Sequence, residues 1–228
     1  VTLSPVMGDY LDHVNNDPAA PNENFARELL QLFSLGTCLL NPDGSLQGGS
    51  CTTTYDNERV RAYAHALTGW TYPPGGATPW GCWPRGANCQ FYDGDMVSVA
   101  SFHNTAARSL LSGVSLPSGN TAPAALEAVL DSIMAHQNVA PFVSRHLIQQ
   151  LVTSNPSPAY VQRVAGAFNT GRYGRLGSGR KGDLAATVAA VLLDAEARST
   201  TVASSAGRLR EPIQLFTGVL RALNGRTD

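Results

Sequence analysis

Charge is scarce in this 228-residue chain, where Asp, Glu, Lys and Arg make up 14% against about 25% in an ordinary globular protein. Sixteen basic residues nearly cancel seventeen acidic ones, which argues against a bulk polyanion binder. Lysine is almost missing, with Lys181 alone beside fifteen Arg. Long apolar runs are missing too. The longest, Leu184 to Leu193, is about half of the roughly 20 residues that a membrane-spanning helix requires. The chain opens at Val1 with neither an initiator Met nor a charged-then-apolar leader, so a processed or trimmed chain is expected.

Cysteine is limited to Cys38, Cys51, Cys82 and Cys89, all within Gly/Pro-rich stretches. Four cysteines allow three pairings, and sequence neighbours are favoured: Cys38 with Cys51 and Cys82 with Cys89. Neither pair has the Cys-x-x-Cys spacing of a zinc knuckle, so no metal is expected there. Two disulfides imply an oxidising, exported location in the periplasm, at the cell surface or outside the cell.

Apolar periodicity is helical almost throughout. Ser4-Pro5 and Ser157-Pro158 each place a capping hydroxyl before a Pro at the first helical position. A helix from Asn22 to Gly36 carries Phe25, Leu29, Leu32 and Phe33 on one arc, and residues 57–68 form another with Val60, Ala64 and Leu67 inward. Helical pattern returns after Ala124, from about Val139 to Val152, after Ser157, from Leu184 to Glu196 under an Asp183 cap, and after Glu211-Pro212. Between about 69 and 119, where all three Trp, five of the fourteen Pro and two of the four Cys lie, no period survives two turns. The expected fold is all-α: one domain over 1–228, a bundle of about seven helices interrupted by an irregular, disulfide-tied insertion.

The runs PNENFARELLQLFSLG (Pro21 to Gly36), LNPDG (Leu40 to Gly44), TYDN (Thr54 to Asn57), ALTGW (Ala66 to Trp70), PFVSRHLIQQLVTSNPSPAYV (Pro141 to Val161), KGDLAATVAAVLLDAEAR (Lys181 to Arg198) and GRLREP (Gly207 to Pro212) closely resemble the bacterial domain-of-unknown-function family 1800. Members of that family are typically about twice this length, and this chain resembles their C-terminal half. The resemblance implies an exported protein, often secreted by the twin-arginine route, with an N-terminal half that packs against this one. It supplies no reaction. Relatives usually read His-Asp followed shortly by Lys where this chain has His103-Asn104 and then Arg108, and often carry Arg at the position of His65. If the His-Asp pair were a base with its orienting carboxylate, Asn104 would remove the orienter's charge.

Among the charges, Glu23 and Arg27 form an i,i+4 pair on the polar face, while Glu28 lies about 140° further round, at the edge of the apolar arc. A half-buried carboxylate needs a partner or a shifted pKa, so Glu28 is a weak catalytic candidate, with Arg210 and Glu211 as potential partners and His103 as a potential base or ligand. Its plainer reading is a structural ion pair. His13, His65, His103, His136 and His146 share no metal-binding spacing. His65 falls with Glu58 and Arg61 and reads as solvated. Arg172, Arg175, Arg180 and Lys181 share a Gly-rich loop that misses the P-loop pattern, because Gly182 stands where Ser or Thr belongs. That loop reads as a flexible linker or a contact for an acidic partner.

Trp70, Tyr72, Trp80, Trp83 and Tyr92 gather around the Cys82 to Cys89 loop, and exposed aromatic faces stack on sugars or bury area on partners. A small private core for the loop is the alternative. With no nucleophile constellation, nucleotide fingerprint or paired carboxylates, no cofactor is expected. The expectation is a non-catalytic structural, assembly or binding component of the cell envelope or an extracellular complex. Its partner would be the N-terminal half of the same protein or another chain, an envelope protein or a polysaccharide, but not a nucleic acid. A site between two halves using Glu28 and His103, and carbohydrate binding by the aromatic loop, are the alternatives.

Overall fold

Helix starts in this chain are set by short polar side chains. Ser4, Asp56, Thr121, Ser157 and Asp183 each accept a hydrogen bond from a backbone N–H in the first turn of the helix they precede, which satisfies one of the donors a helix N-terminus leaves open. A computed structural model of the chain describes residues 1–74, 90–201, 206–208 and 211–225. Cys82, Cys89, Trp80, Trp83 and Arg210 lie outside the described residues. Within them the chain forms two units: Val1–Asn41 with Ser45–Phe142, and Pro42–Gly44 with Val143–Asp228.

The first unit holds α1 (Pro5–Tyr10), α2 (Asn24–Gln31), α3 (Asn57–Ala66) and α4 (Ala122–Ala135). α2 packs on α3, and α3 on α4. Phe25, Leu30, Leu35, Val60, Tyr63, Leu67 and Val129 are buried there, each apolar side chain contributing about 1.5–3 kcal/mol by leaving water. Tyr63 brings a hydroxyl into this core, where it meets Ser132 Oγ at 2.5 Å and accepts from Leu111 N; burial raises its pKa above the usual phenol value. Cys38 is bonded to Cys51. The loop they close is held by Asn138, fully buried, which donates to the Leu35 and Cys38 carbonyls and accepts from Leu40 N.

The fold is helix-rich and not all-α. The stretch expected to be irregular contains two small antiparallel ribbons, β1 (Trp70–Thr71) with β2 (Val97–Ser98) and β3 (Arg108–Ser109) with β4 (Ser115–Leu116). Two-residue strands are too short to show the alternation by which a strand is recognised in sequence. Eight α-helices are present among the described residues, against an expectation of about seven. α1 and α2 are also shorter than their apolar patterns. The chain leaves α1 at once, with Asp12 and Asn15 at φ 57° and 61°, and α2 closes when Ser34 Oγ and the Leu35 N–H turn back to the Leu29 and Leu30 carbonyls.

α5 (Val139–Leu151) starts in the first unit and continues into the second. There α6 (Pro158–Thr170) packs on α7 (Leu184–Leu193), and Ile148, Tyr160, Val161, Val164, Ala167, Ala190 and Val191 form the core. Alanines on α7 permit the close approach. The Tyr160 hydroxyl donates to Val191 O at 2.5 Å, and burial pushes that phenol up to about 12. α8 (Pro212–Ala222) follows. None of its residues is buried, and no helix among the described residues is long and apolar enough to cross a membrane.

Candidate functional site

The polar groups of the first unit converge on the turn that follows α3. Thr68 is buried; its hydroxyl donates to His65 O and accepts from Asn104 N, and its carbonyl faces His103 Nδ1 at 2.9 Å. His103 Nε2 lies 2.8 Å from Asn120 Oδ1, and Asn120 Nδ2 donates to Pro117 O. Both ring nitrogens are occupied, and only 6% of the residue is exposed. The ring ties three backbone segments together, and each of its nitrogens faces a protein oxygen and not open space. Gly69 makes that approach feasible: at φ +93° it takes a conformation other residues resist, and a Cβ there would stand 2.9 Å from His103 Cβ.

Beside this hub, Asn104 gathers two basic side chains, one of them the Arg108 cation. Its Oδ1 accepts from Arg108 Nη2 at 2.8 Å and from Ala106 N, and its Nδ2 lies 3.3 Å from His65 Nδ1. The donors at Oδ1 fix the amide's orientation, so Nδ2 donates and His65 Nδ1 accepts. Burial, and then the Arg108 charge, lower the His65 pKa. His65 is thus half-buried and engaged, and not the solvated residue its helical position suggests: the segment after His103 covers a face that the wheel leaves open. Positions 65, 104 and 108, at which the chain departs from the pattern it resembles, form one cluster.

Glu28 stands as its place on the arc predicts, half-buried, but Oε2 is buried with no hydrogen-bond partner. The Tyr55 hydroxyl is in the same condition. Burial raises the Tyr55 pKa, with Arg27 opposing and Glu28 adding to the rise. The His103 ring is bonded to Thr68 and Asn120 and not to Glu28, and Glu211, the N-cap position of α8, belongs to the second unit. Glu23 instead binds Arg27 at 2.9 Å and Arg61 at 3.2 Å.

Of the aromatic residues, Trp70 and Tyr72 are buried and Tyr92 is 42% exposed. Tyr72 and Tyr92 meet edge to face, their hydroxyls donating to the two oxygens of Asp9 at 2.7 and 2.6 Å. Those bonds, Tyr92's first, lower the Asp9 pKa. Apolar periodicity could not have shown this carboxylate, since it sits on the exposed end of α1.

In the second unit Arg172, Arg175, Arg180 and Lys181 are exposed, on a loop closed by Gly179 N to Gly171 O, by Gly182 N to Phe168 O, and by Ser178 N to the Asp183 carboxylate. A Cβ on Gly171 would collide with the Arg180 backbone. The loop is a built turn. Arg163 grips Asp194 with two bonds of 2.7 and 2.8 Å, which hold the Asp194 pKa down. An open cavity of about 700 Å³ is lined by Thr153, Asn155, Ser157, Tyr160, Glu196 and Ser199 among others, but both Glu196 oxygens accept from Ser157. Among the described residues no three His, Cys, Asp or Glu side chains are grouped as metal ligands.

Together these features define a helix-rich protein whose polar clusters are mostly engaged in holding irregular segments in place. The chain belongs to the family described as Protein of unknown function (DUF1800), whose model matches residues 1–227. No curated protein matches it, and no solved structure does.

Proposed function

We propose that this chain is a non-catalytic binding and assembly module of an exported bacterial protein, and that α8 is the element it presents. The observation that carries the reading is the exposure of α8. At 100° per residue, Ile213, Leu215, Phe216, Val219, Leu220 and Leu223 spread over roughly 160° of the helix. Ile213, Leu215, Phe216, Val219 and Leu223 are 47–75% exposed, whereas Gln214, Thr217, Gly218 and, at the edge of the arc, Leu220 are partly covered. The helix thus turns its apolar side outward.

Five large apolar side chains on one short helix are left about half or more in water, the kind of exposed apolar surface that marks an interaction site. An arc this wide is more than a two-helix seam covers and suits an apolar groove that wraps the helix. A basic polar face, which a helix lying on anionic lipid needs, is represented in α8 by Arg221 alone. The fitting occupant is a companion polypeptide, the second half that family resemblance implies. The Cys38–Cys51 bond supports an oxidising, exported setting.

Co-expression of the companion half with wild-type chain, and with a Phe216→Asp/Leu223→Asp variant, tests the reading. The variant should keep its helix content and its unfolding midpoint but lose co-purification. Equal recovery of the companion half with both chains would overturn it.

A further inference from the structure

Arg108 is a half-buried cation whose counter-charge is absent from its own unit. Its Nη2 is spent on a neutral amide, Asn104 Oδ1, and its Nε is buried with no acceptor. The ion pairs among the described residues join Arg27 and Arg61 to Glu23 and Arg163 to Asp194, and none involves Arg108. Nor can a carboxylate be supplied by residues 75–89, the undescribed part of this unit, which contain no Asp or Glu. A second positive charge lies on the same ribbon, where Arg59 Nη1 donates to Ser109 O at 2.7 Å. His65 completes the set. With Nδ1 accepting from Asn104, the neutral ring carries its proton on Nε2, a further donor in the cluster that Asn104 joins.

We propose that Arg108 and His65, spaced by Asn104, form a binding site for an oxyanion group, a carboxylate or a phosphate, on a small ligand. A guanidinium offers paired donors to such a group, and burial on one side keeps the attraction from being screened by water. The surroundings allow entry: Thr105, Ala106 and Ala107 are exposed, while Asn104 and Arg108 are partly so. A small swing of the Arg108 side chain toward the ligand would give Nε the acceptor it lacks. Asn104 acts here as a neutral spacer that orients both donors; a carboxylate in its place would fill the site from within.

The full chain, at low ionic strength, is titrated with inorganic phosphate and separately with acetate, against sodium chloride at matched ionic strength, reading the unfolding midpoint and the ¹⁵N shift of His65 Nε2. Wild type should show a saturable rise in midpoint and a His65 shift with an oxyanion and not with chloride. Preference for phosphate assigns a phosphoryl ligand, and an equal or stronger response to acetate assigns a carboxylate; either upholds the site. Arg108→Gln should weaken the apparent affinity by about tenfold or more. Asn104→Asp should raise the midpoint without any added anion and abolish the response, which keeps the test decisive if the arginine variant folds poorly. A wild-type response no greater than that to chloride, or an undiminished response in Asn104→Asp, would overturn the proposal.

Discussion

Gly69 and His103 approach so closely that a Cβ on the glycine would lie 2.9 Å from His103 Cβ and 3.1 Å from its Cα. The second of these atoms is backbone and cannot rotate away. Gly69→Ala therefore combines a positive-φ penalty with a collision, and it should lower stability by about 2 kcal/mol or more in urea unfolding. Gly48→Ala is the matching control. Its φ is +68° with nothing within 4 Å, so the backbone penalty of about 1 kcal/mol acts alone. Equal costs at the two positions would mean that the His103 contact is not rigid.

Asn138 supplies the second test. Its amide satisfies the Leu35, Leu40 and Cys38 backbone from a fully buried position. Asn138→Asp keeps the acceptor for Leu40 N but strips both carbonyls of their donor and buries a charge, so a loss of about 2–4 kcal/mol is expected. Removing the disulfide by Cys38→Ser/Cys51→Ser should cost about 3 kcal/mol for a loop of this size. Because both devices order residues 35–51, the combined variant should lose less than the sum. A fully additive result in thermal unfolding would show that they act independently.

Local chemistry was legible wherever one short motif decides the outcome. Ser4-Pro5, Ser157-Pro158 and Asp183 cap the helices their positions predict, the neighbouring cysteines Cys38 and Cys51 pair, and Glu28 is half-buried at the edge of its arc. What pattern reading missed depends on segments distant in sequence. Thr68, His103 and Asn120 interlock across separations of 35 and 17 residues, with no periodicity to announce it. The wheel that placed His65 with Glu58 and Arg61 could not know that Asn104 would lie over it. α8 was legible as an amphipathic helix, but which side faces solvent is a tertiary fact.

Asp9 should make the fold acid-sensitive. Its carboxylate accepts from the hydroxyls of Tyr92 and Tyr72, which lower its pKa below the usual aspartate value. A lowered folded-state value means that the stabilisation is complete above the unfolded pKa near 4 and is lost as pH falls through the folded one. Tyr92→Phe removes the larger cause. The stability difference between wild type and this variant should be constant from neutral pH to about 5 and shrink below about 4. A difference independent of pH across that range would show that the carboxylate is not the partner that matters.

His13 governs a separate, higher window. The ring is fully buried, stacked on Phe25 at 4.2 Å and 15°, and neither nitrogen has a hydrogen-bond partner. Burial alone pushes its pKa down to about 3. The unfolded chain binds a proton near pH 6.5 that the folded chain refuses, so stability is full above that value and declines as pH falls from about 6.5 toward 3, by several kcal/mol in all. His13→Phe keeps the ring and removes both the titration and two unpartnered polar atoms. That variant should match or exceed wild type at pH 8, and its advantage should grow steadily between pH 6.5 and 5 in urea unfolding, above the range in which Asp9 titrates. Parallel stability curves for the two proteins between pH 8 and 5 would show that His13 finds a proton acceptor in the folded chain.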